Sequence, residues 1–189
     1  HRDLHSFPTR RSSDLRLVKE NKISVDDSEF ARDMLREAYL YAFNESTDSS
    51  TKTGAVIVLD GKIVSRGTNK FAENVEITKK RNTSESKVLY QDHSERNAVY
   101  NAAKLGIPLD NAEMFTTWIP CPACANAIMN SSINRVIFHY GMAIKTRRDW
   151  RSQMQESIKM MLESGVKISV YMGKIGECKA LFKGKIWEP

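Results

Sequence analysis

Two short segments carry the residue types that bind a metal ion and move protons. Residues 93–95 read His-Ser-Glu, and residues 120–124 read Pro-Cys-Pro-Ala-Cys. Imidazole and thiolate are common zinc ligands, and a catalytic zinc site takes three protein ligands and leaves one position open for water. The spacing therefore predicts that His93, Cys121 and Cys124 bind one zinc ion (Zn2+).

The carboxylate of Glu95 is the candidate for a proton carrier. A zinc ion lowers the pKa of a bound water from about 15.7 to about 7, which makes hydroxide available at neutral pH. Hydrolytic removal of an amine from a ring carbon also requires protons on the ring and on the leaving nitrogen, and one carboxylate beside the metal can carry them. We therefore expect Glu95 to be catalytic rather than a metal ligand.

Each motif taken alone has another interpretation. A Cys-x-x-Cys pair also occurs in structural zinc sites and in redox pairs. A structural site needs a fourth ligand, and the remaining candidates, His139 and Cys178, lack motif spacing. A redox pair would leave the His-x-Glu motif unexplained. Both motifs together favour a catalytic zinc centre, and an inactive zinc-stabilised binding module stays an alternative.

The elements that position these motifs follow from hydrophobic periodicity. Helices are predicted at 28–44, 93–105, 120–130 and 150–164, and strands at 54–59, 62–66, 114–118, 135–139 and 166–171. This order predicts one hairpin, with its turn at Asp60-Gly61, followed by alternating helices and parallel strands. Both motifs then lie at helix starts, where the helix dipole favours thiolates. The polar segment 68–92 is predicted to be a long loop.

Length and composition limit the remaining possibilities. The chain has 189 residues and 41% hydrophobic residues, which suits one folded domain. Its net charge of +6 fits an anionic ligand such as a nucleotide, but its lysines and arginines are scattered, as is typical of a solvated surface. The sequence has no signal-peptide pattern and no apolar run of about 20 residues, and it has too few cysteines for a disulfide scaffold. We therefore predict a cytoplasmic protein without a membrane partner. Residues 1–15 resemble a translated sequencing adapter, so the single domain is predicted over residues 16–189.

The two motifs in this order resemble the zinc-dependent cytidine and deoxycytidylate deaminase family, whose signature is His-x-Glu followed by Pro-Cys-x-x-Cys. The resemblance runs from about Ser28 to Tyr171, and HSERNAVYNAAKLGIPLDNAEMFTTW and PCPACANAIMNSSINRVIF carry most of it. It implies an α/β fold, a three-layer α/β/α sandwich with a five-stranded mixed sheet. It also implies a homo-oligomer that hydrolyses a cytosine mononucleotide, with deoxycytidylate (dCMP) deaminases as the most similar branch and dUMP and ammonia as products.

The resemblance further assigns residues to the substrate. Asn69 would contact the sugar, Gly54 and Ala55 would line the base pocket, and the backbone at Ser94 would bind the base edge. Lysines in flanking segments are candidates for phosphate recognition: Lys52, Lys70 and Lys87.

The length of one connection separates two classes of substrate. Relatives that deaminate a base within nucleic acid, such as tRNA adenosine deaminases, usually have a short link between the Asn and the His-x-Glu motif. Here a long polar insertion separates Asn69 from His93, as in the mononucleotide branch. We therefore predict a small-molecule nucleotide substrate and no nucleic-acid partner, with a base inside a polymer as the alternative. Trp118 is predicted either to wall the pocket or to pack in the core.

Overall fold

The computed structural model describes residues 23–189, so the predicted tail at residues 1–15 lies outside the described residues. None of the helices in this part of the chain combines the length and apolar character needed to traverse a bilayer. The elements are, in chain order, β1 (Ser24–Val25), α1 (Glu29–Glu45), β2 (Gly54–Leu59), β3 (Lys62–Thr68), β4 (Lys70–Phe71), β5 (Gln91–Asp92), α2 (Ser94–Lys104), β6 (Glu113–Thr116), α3 (Pro122–Asn130), β7 (Arg135–His139), α4 (Tyr140–Ala143), α5 (Arg151–Glu163), β8 (Lys167–Tyr171), β9 (Ala180–Phe182) and β10 (Lys185–Trp187).

The central sheet is mixed and has the strand order β1-β8-β7-β6-β2-β3. Strands β6, β7 and β8 are parallel, whereas β2 pairs antiparallel with both β3 and β6. The expected five strands are therefore six. The additional strand, β1, runs parallel to β8, and the Ser24 and Ser169 hydroxyls lie 2.8 Å apart across this edge. Two residues are too few to produce a periodic pattern, so the sequence did not indicate this strand.

Alternating side chains of the strands form two hydrophobic cores, one on each face of the sheet. Val56 and Val58 of β2 share a core with α1, which contributes Leu35 to it. Ala55 and Ile57 of the same strand belong to the other core, which is completed by buried residues of α2, α3 and α5: Ala98, Ala102, Ala125, Ile128, Ile158 and Met161. Because β2 is covered on both faces, the predicted three-layer α/β/α arrangement is confirmed.

Two glycines of the hairpin allow helices to lie directly on the sheet. A Cβ atom on Gly54 would be 2.0 Å from the carbonyl oxygen of Ala38 in α1. A Cβ atom on Gly67 would be 2.2 Å from the carbonyl oxygen of Ser94 and from the amide nitrogen of Ala98 in α2. Gly67 therefore sets how closely the first turn of α2 approaches β3.

The segment predicted as one loop, residues 68–92, contains a short ladder at its base. Lys70 pairs with Asp92 and Phe71 pairs with Gln91, which gives β4 and β5. A single 3-10 turn at Lys87–Leu89 lies within the segment. The ladder holds the two ends of the segment together. The residues between them, 72–90, form a single loop beside the start of α2, which we call the β4–β5 loop.

A second hairpin, which the sequence analysis did not predict, is formed by β9 and β10. Its turn residues Lys183 and Gly184 have φ values of +50° and +74°, as a two-residue type I′ turn requires. The amide of Gly184 donates to the carbonyl of Ser50 at 2.8 Å, and the amide of Lys52 donates to the carbonyl of Leu181 at 3.0 Å. The hairpin is thus attached to the segment that joins α1 to β2.

Candidate active site

The three predicted metal ligands lie together. Nδ1 of His93 is 3.5 Å from Sγ of Cys121 and 3.5 Å from Sγ of Cys124, and the two sulfurs are 3.5 Å apart. The three ligand atoms all lie within 4.8 Å of one another. One metal ion at their centre would therefore be within reach of an imidazole nitrogen and two sulfurs.

Two helix starts bring these ligands to one point. His93 is the residue before α2, Cys121 is the residue before α3, and both have extended backbone conformations. Pro122 occupies the first helical turn of α3, where the lack of an amide hydrogen costs nothing. The N-terminal ends of α2 and α3 therefore both face the cluster, and their partial positive charges favour thiolate over thiol.

The electrostatics of the two thiols fit a cation between them. Hydrogen bonds from Cys124 and His93 lower the pKa of Cys121 to about 3. The pKa of Cys124 is raised, because this thiol is hydrogen-bonded to Cys121, is buried, and would place a second negative charge beside the first. The hydrogen bond with Cys121 raises the pKa of His93. A divalent cation bound between the sulfurs would offset the repulsion between two thiolate charges and allow both cysteines to ionise. The set of one imidazole and two thiolates therefore suits zinc.

Glu95 lies beside this cluster with its carboxyl group buried. Only 5% of the surface of Glu95 is exposed to solvent. Its Oε2 accepts a hydrogen bond from Ser94 Oγ at 3.1 Å and lies 3.5 Å from Cys124 Sγ, and its Oε1 lies 3.4 Å from Thr116 Oγ1. Burial raises the pKa of Glu95 above its ordinary value. The carboxyl group is therefore adjacent to the ligand cluster and held by two hydroxyls.

A cavity of about 310 Å³ opens next to the cluster and reaches His93, Glu95 and Cys121. Trp118 borders it, which favours the first of the two predicted roles for this residue, and its Nε1 donates to Thr146 Oγ1 at 2.7 Å. Other residues on its wall come from the segment before β2, from the residue that follows β3, from residues 84–92, from the segment before α3 and from beyond α4: Asp48, Thr51, Thr53, Asn69, Ser84, Lys87, Val88, Gln91, Asp92, Ile119, Arg147, Trp150, Met154, Phe182 and Lys183.

Asn69 borders the cavity, but its side-chain amide is already hydrogen-bonded to the protein. Its Oδ1 accepts from Ser46 Oγ at 2.8 Å and from the amide of Thr53 at 2.9 Å, and its Nδ2 donates to the carbonyl of Thr51 at 2.8 Å. In the structure, the side chain of Asn69 therefore holds residues 46–53 in place through these hydrogen bonds. Its contact with a sugar stays a prediction.

The other predicted substrate residues lie at different depths. Ser94 is buried, and its hydroxyl lies 3.3 Å from Thr53 Oγ1. Gly54 and Ala55 are fully buried in β2 and are absent from the cavity wall formed by residues 23–189, so their contact with a base stays a prediction. Of the three lysines, only Lys87 borders the cavity. Lys52 instead donates to the carbonyl of Phe43 at 2.6 Å.

The sequence pattern of residues 28–140 matches the model of the cytidine and deoxycytidylate deaminase zinc-binding region. The chain belongs to this family. Members of the family are hydrolases that act on C–N bonds, and zinc is the metal of their conserved region. His93, Cys121 and Cys124, which the fold groups into one possible metal site, lie within the matched segment.

Relatives and solved structures agree with this membership. An uncharacterized deaminase of Aliivibrio fischeri, from the region 3′ of luxG, is 32% identical over 124 residues, or 66% of this chain and 82% of that protein. A tRNA-specific adenosine deaminase of Bacillus subtilis is 29% identical over 105 residues, or 55% of this chain and 58% of that protein. The dCMP deaminase of cyanophage S-TIM5, solved with dCMP and dUMP, superposes with a TM-score of 0.59 at 21% identity over 77% of this chain and 98% of that one, which shows the common fold.

Several residues on the cavity wall of this deaminase were not singled out by the sequence analysis. Arg147, Trp150, Met154, Phe182 and Lys183 all follow the segment that matches the family model. No local motif marks them, because they reach the cavity only through the docking of the β9–β10 hairpin and of the first turn of α5 with the turn before it. Charge was the one available signal, since Arg147 and Lys183 are basic.

Proposed function

We propose that this deaminase hydrolyses a cytosine mononucleotide, dCMP, to dUMP and ammonia, with one water consumed in each turnover. The observation that carries the proposal is the position of the Glu95 carboxyl group, which is buried at the inner end of the cavity and lies 3.5 Å from Cys124 Sγ. An inactive binding module would have no use for a carboxyl group at this point.

The chemistry follows from the residues around Glu95. A zinc ion bound by His93, Cys121 and Cys124 would supply a nucleophilic water at neutral pH. Glu95 accepts a proton from the attacking water and delivers it to N3 of the ring as the new C4–O bond forms. The same carboxylate then moves the second proton from the C4 hydroxyl to the 4-amino group, so that the C4–N bond breaks, ammonia leaves and the C4 carbonyl of the product forms. The hydroxyls of Ser94 and Thr116 orient the carboxylate for these transfers.

The walls of the cavity support a mononucleotide substrate. A volume of about 310 Å³ is at the lower end of the range of small-molecule sites. The β4–β5 loop contributes Ser84, Lys87 and Val88 to the wall. The insertion that separates Asn69 from His93 in the sequence is therefore part of the site. We infer that this insertion surrounds a single nucleotide and leaves no path for a continuing strand.

A base within tRNA is the second candidate substrate. The observation that favours it is the sequence relationship to the tRNA-specific adenosine deaminase of B. subtilis. The same proton transfers would then occur on an adenine ring. The two candidates place different demands on the cavity. The strand on either side of a base in tRNA must pass out of the cavity, whereas a mononucleotide can be enclosed completely.

Ammonia release by the zinc-loaded protein tests the proposal. The panel contains dCMP, CMP, deoxycytidine, an oligonucleotide with a single cytosine, and a tRNA anticodon stem-loop. We expect dCMP to give the highest kcat/KM, and turnover of only the polymers would overturn the mononucleotide assignment. Sedimentation of the same preparation tests the predicted homo-oligomer.

The variant Glu95→Gln tests the proposed role of the carboxylate. It keeps the shape of the side chain and removes its ability to carry protons, so we expect kcat to fall by about 10²–10⁴-fold while bound zinc and the melting temperature are retained. Ser94→Ala is the control, because it removes one orienting hydroxyl and leaves the carboxylate, and it should have a much smaller effect. Wild-type turnover in Glu95→Gln would contradict the mechanism.

A further inference from the structure

The cavity has a closed end and an open end. Glu95, at the closed end, is 5% exposed, whereas Val88 and Trp150 on the wall are 67% and 40% exposed. Lys183 is also exposed and borders the cavity. Since the amine-bearing carbon of the substrate must reach Glu95, the group at the other end of the nucleotide must lie near these exposed residues.

Three basic residues border the cavity, and they differ in how their charge is balanced. Nζ of Lys87 lies 2.6 Å from Oδ2 of the buried Asp48. The guanidinium group of Arg147 pairs with Asp149, with Nε 3.1 Å from Oδ1. Lys183 forms no ion pair with an acidic side chain of residues 23–189, and its charge makes only the smallest of the contributions that lower the pKa of Asp149. Of the three charges, that of Lys183 is therefore the least balanced and the most available to an anionic ligand at the open end.

The β9–β10 hairpin fixes where this charge is placed. The amide of Lys183 donates to Thr51 Oγ1 at 3.0 Å, and Thr51 is itself on the cavity wall. The ring of the preceding residue, Phe182, packs edge-on against Trp118 with 5.7 Å between centroids. Nζ of Lys145 lies 5.8 Å from the centroid of the Phe182 ring, which adds a second positive charge near the hairpin.

We propose that Lys183 binds the 5′-phosphate of the nucleotide, so that the β9–β10 hairpin selects nucleotides over nucleosides. The inference rests on the proposed function for the identity of the base at the closed end. A lysine ammonium donates charge-assisted hydrogen bonds to phosphate oxygens, which are stronger than hydrogen bonds between neutral groups. Lys183 lies outside residues 28–140, so this subsite belongs to the part of the chain that the family model does not match.

The test compares two hairpin variants in the full, zinc-loaded chain. Lys183→Asn removes the charge and leaves an Asn-Gly pair, which suits the positive φ values of the turn and keeps the hairpin folded. Lys185→Thr removes the charge of an exposed lysine on the same hairpin that does not border the cavity, and threonine suits a strand. The readout is the ratio of kcat/KM for dCMP to kcat/KM for deoxycytidine.

We expect Lys183→Asn to lower this ratio about tenfold, mainly through KM for dCMP, and Lys185→Thr to leave it unchanged. Lys183→Arg should restore most of the ratio because it returns the positive charge. A ratio that is the same in the wild type and in Lys183→Asn, with the melting temperature unchanged, would overturn the proposal.

Calorimetric binding of dUMP and deoxyuridine separates this proposal from the proposed reaction. If ammonia is released from neither dCMP nor deoxycytidine, yet the wild type binds dUMP about tenfold more tightly than Lys183→Asn does, the reaction fails and the phosphate subsite stands. If both substrates are deaminated and dUMP binds equally to both proteins, the reaction stands and the subsite is wrong.

Discussion

The hydroxyl of Tyr39 and Nδ1 of His139 lie 2.8 Å apart inside the core, where the two residues are 1% and 3% exposed. The ring of His139 also stacks on Trp187 of the β9–β10 hairpin, with 6.3 Å between centroids. The pKa of His139 is lowered to about 4, mainly by burial and to a smaller extent by the charge of Lys145, against a backbone hydrogen bond with Gly173 that raises it. A neutral imidazole therefore joins α1, β7 and the second hairpin.

We expect the free energy of unfolding to decrease as the pH falls from about 6.5 towards 4. The unfolded chain binds a proton on this imidazole below its ordinary pKa of 6.5, and the folded chain binds it only near 4, so the unfolded state holds more protons in this window. The loss amounts to at most about 3 kcal/mol and is absent above pH 6.5. Urea denaturation at each pH measures it, and His139→Gln should show a shallower dependence. Equal dependences in the two proteins would rule out this histidine as the cause.

Replacement of Cys121 by serine should remove bound zinc and lower the melting temperature, because an imidazole and one thiolate provide too few ligands for the ion. Cys178→Ser is the matched control. Cys178 is buried away from the metal cluster, and burial raises its pKa to about 11, so it stays a thiol. Zinc content measured by mass spectrometry should be lost only in the first variant. Equal zinc in both variants would show that the metal lies elsewhere.

Gly67→Ala should destabilise the fold and weaken zinc binding together. The added methyl group would be 2.2 Å from two backbone atoms of the first turns of α2, so α2 must move, and His93 moves with it. The cost of such overpacking is about 1–3 kcal/mol. Gly54→Ala forces a similar displacement of α1, which carries no metal ligand. Competition with a chelator should show weaker zinc binding in Gly67→Ala than in Gly54→Ala. The reverse order would contradict this coupling.

Asp48→Asn should lower stability by about 1–3 kcal/mol, because Lys87 would lose its ion-pair partner in a partly buried site. Asp48 also accepts hydrogen bonds from the amides of Ser50 and Thr51, at 2.8 Å and 3.0 Å. Asp60→Asn is the control, since asparagine suits the first position of the Asp60-Gly61 turn. Thermal melting compares them, and an unchanged melting temperature in Asp48→Asn would show that the ion pair contributes nothing.

The sequence predicted the parts of this protein that depend on local spacing. His93, Cys121 and Cys124 came from two motifs of five residues or fewer, and the helices that follow them have clear apolar periodicity. The helix predicted at 28–44 spans Glu29–Glu45, and the strands predicted at 54–59 and 135–139 have those same bounds. Such signals are contained in a single element, so they can be read without knowledge of the fold.

The parts that the sequence did not predict depend on contacts between distant segments. The strands β1, β4, β5, β9 and β10 have only two or three residues each, which is too short for a periodic signal. The contact between Lys183 and Thr51 joins residues 132 positions apart. Gly54 also allows the close approach of the backbone of α1, a steric requirement that only packing reveals, while its predicted contact with a base stays a prediction.

The separation of 3.5 Å between Cys121 Sγ and Cys124 Sγ also determines how the protein responds to oxidants. Without a metal ion, the Cys121 thiolate and the Cys124 thiol are close enough for dioxygen, acting as a two-electron oxidant, to convert them into an intramolecular disulfide. Bound zinc would therefore protect the two sulfurs from oxidation in addition to supplying the nucleophilic water. Metal-stripped protein kept in air should need a reducing agent first, and only then zinc, to regain its function.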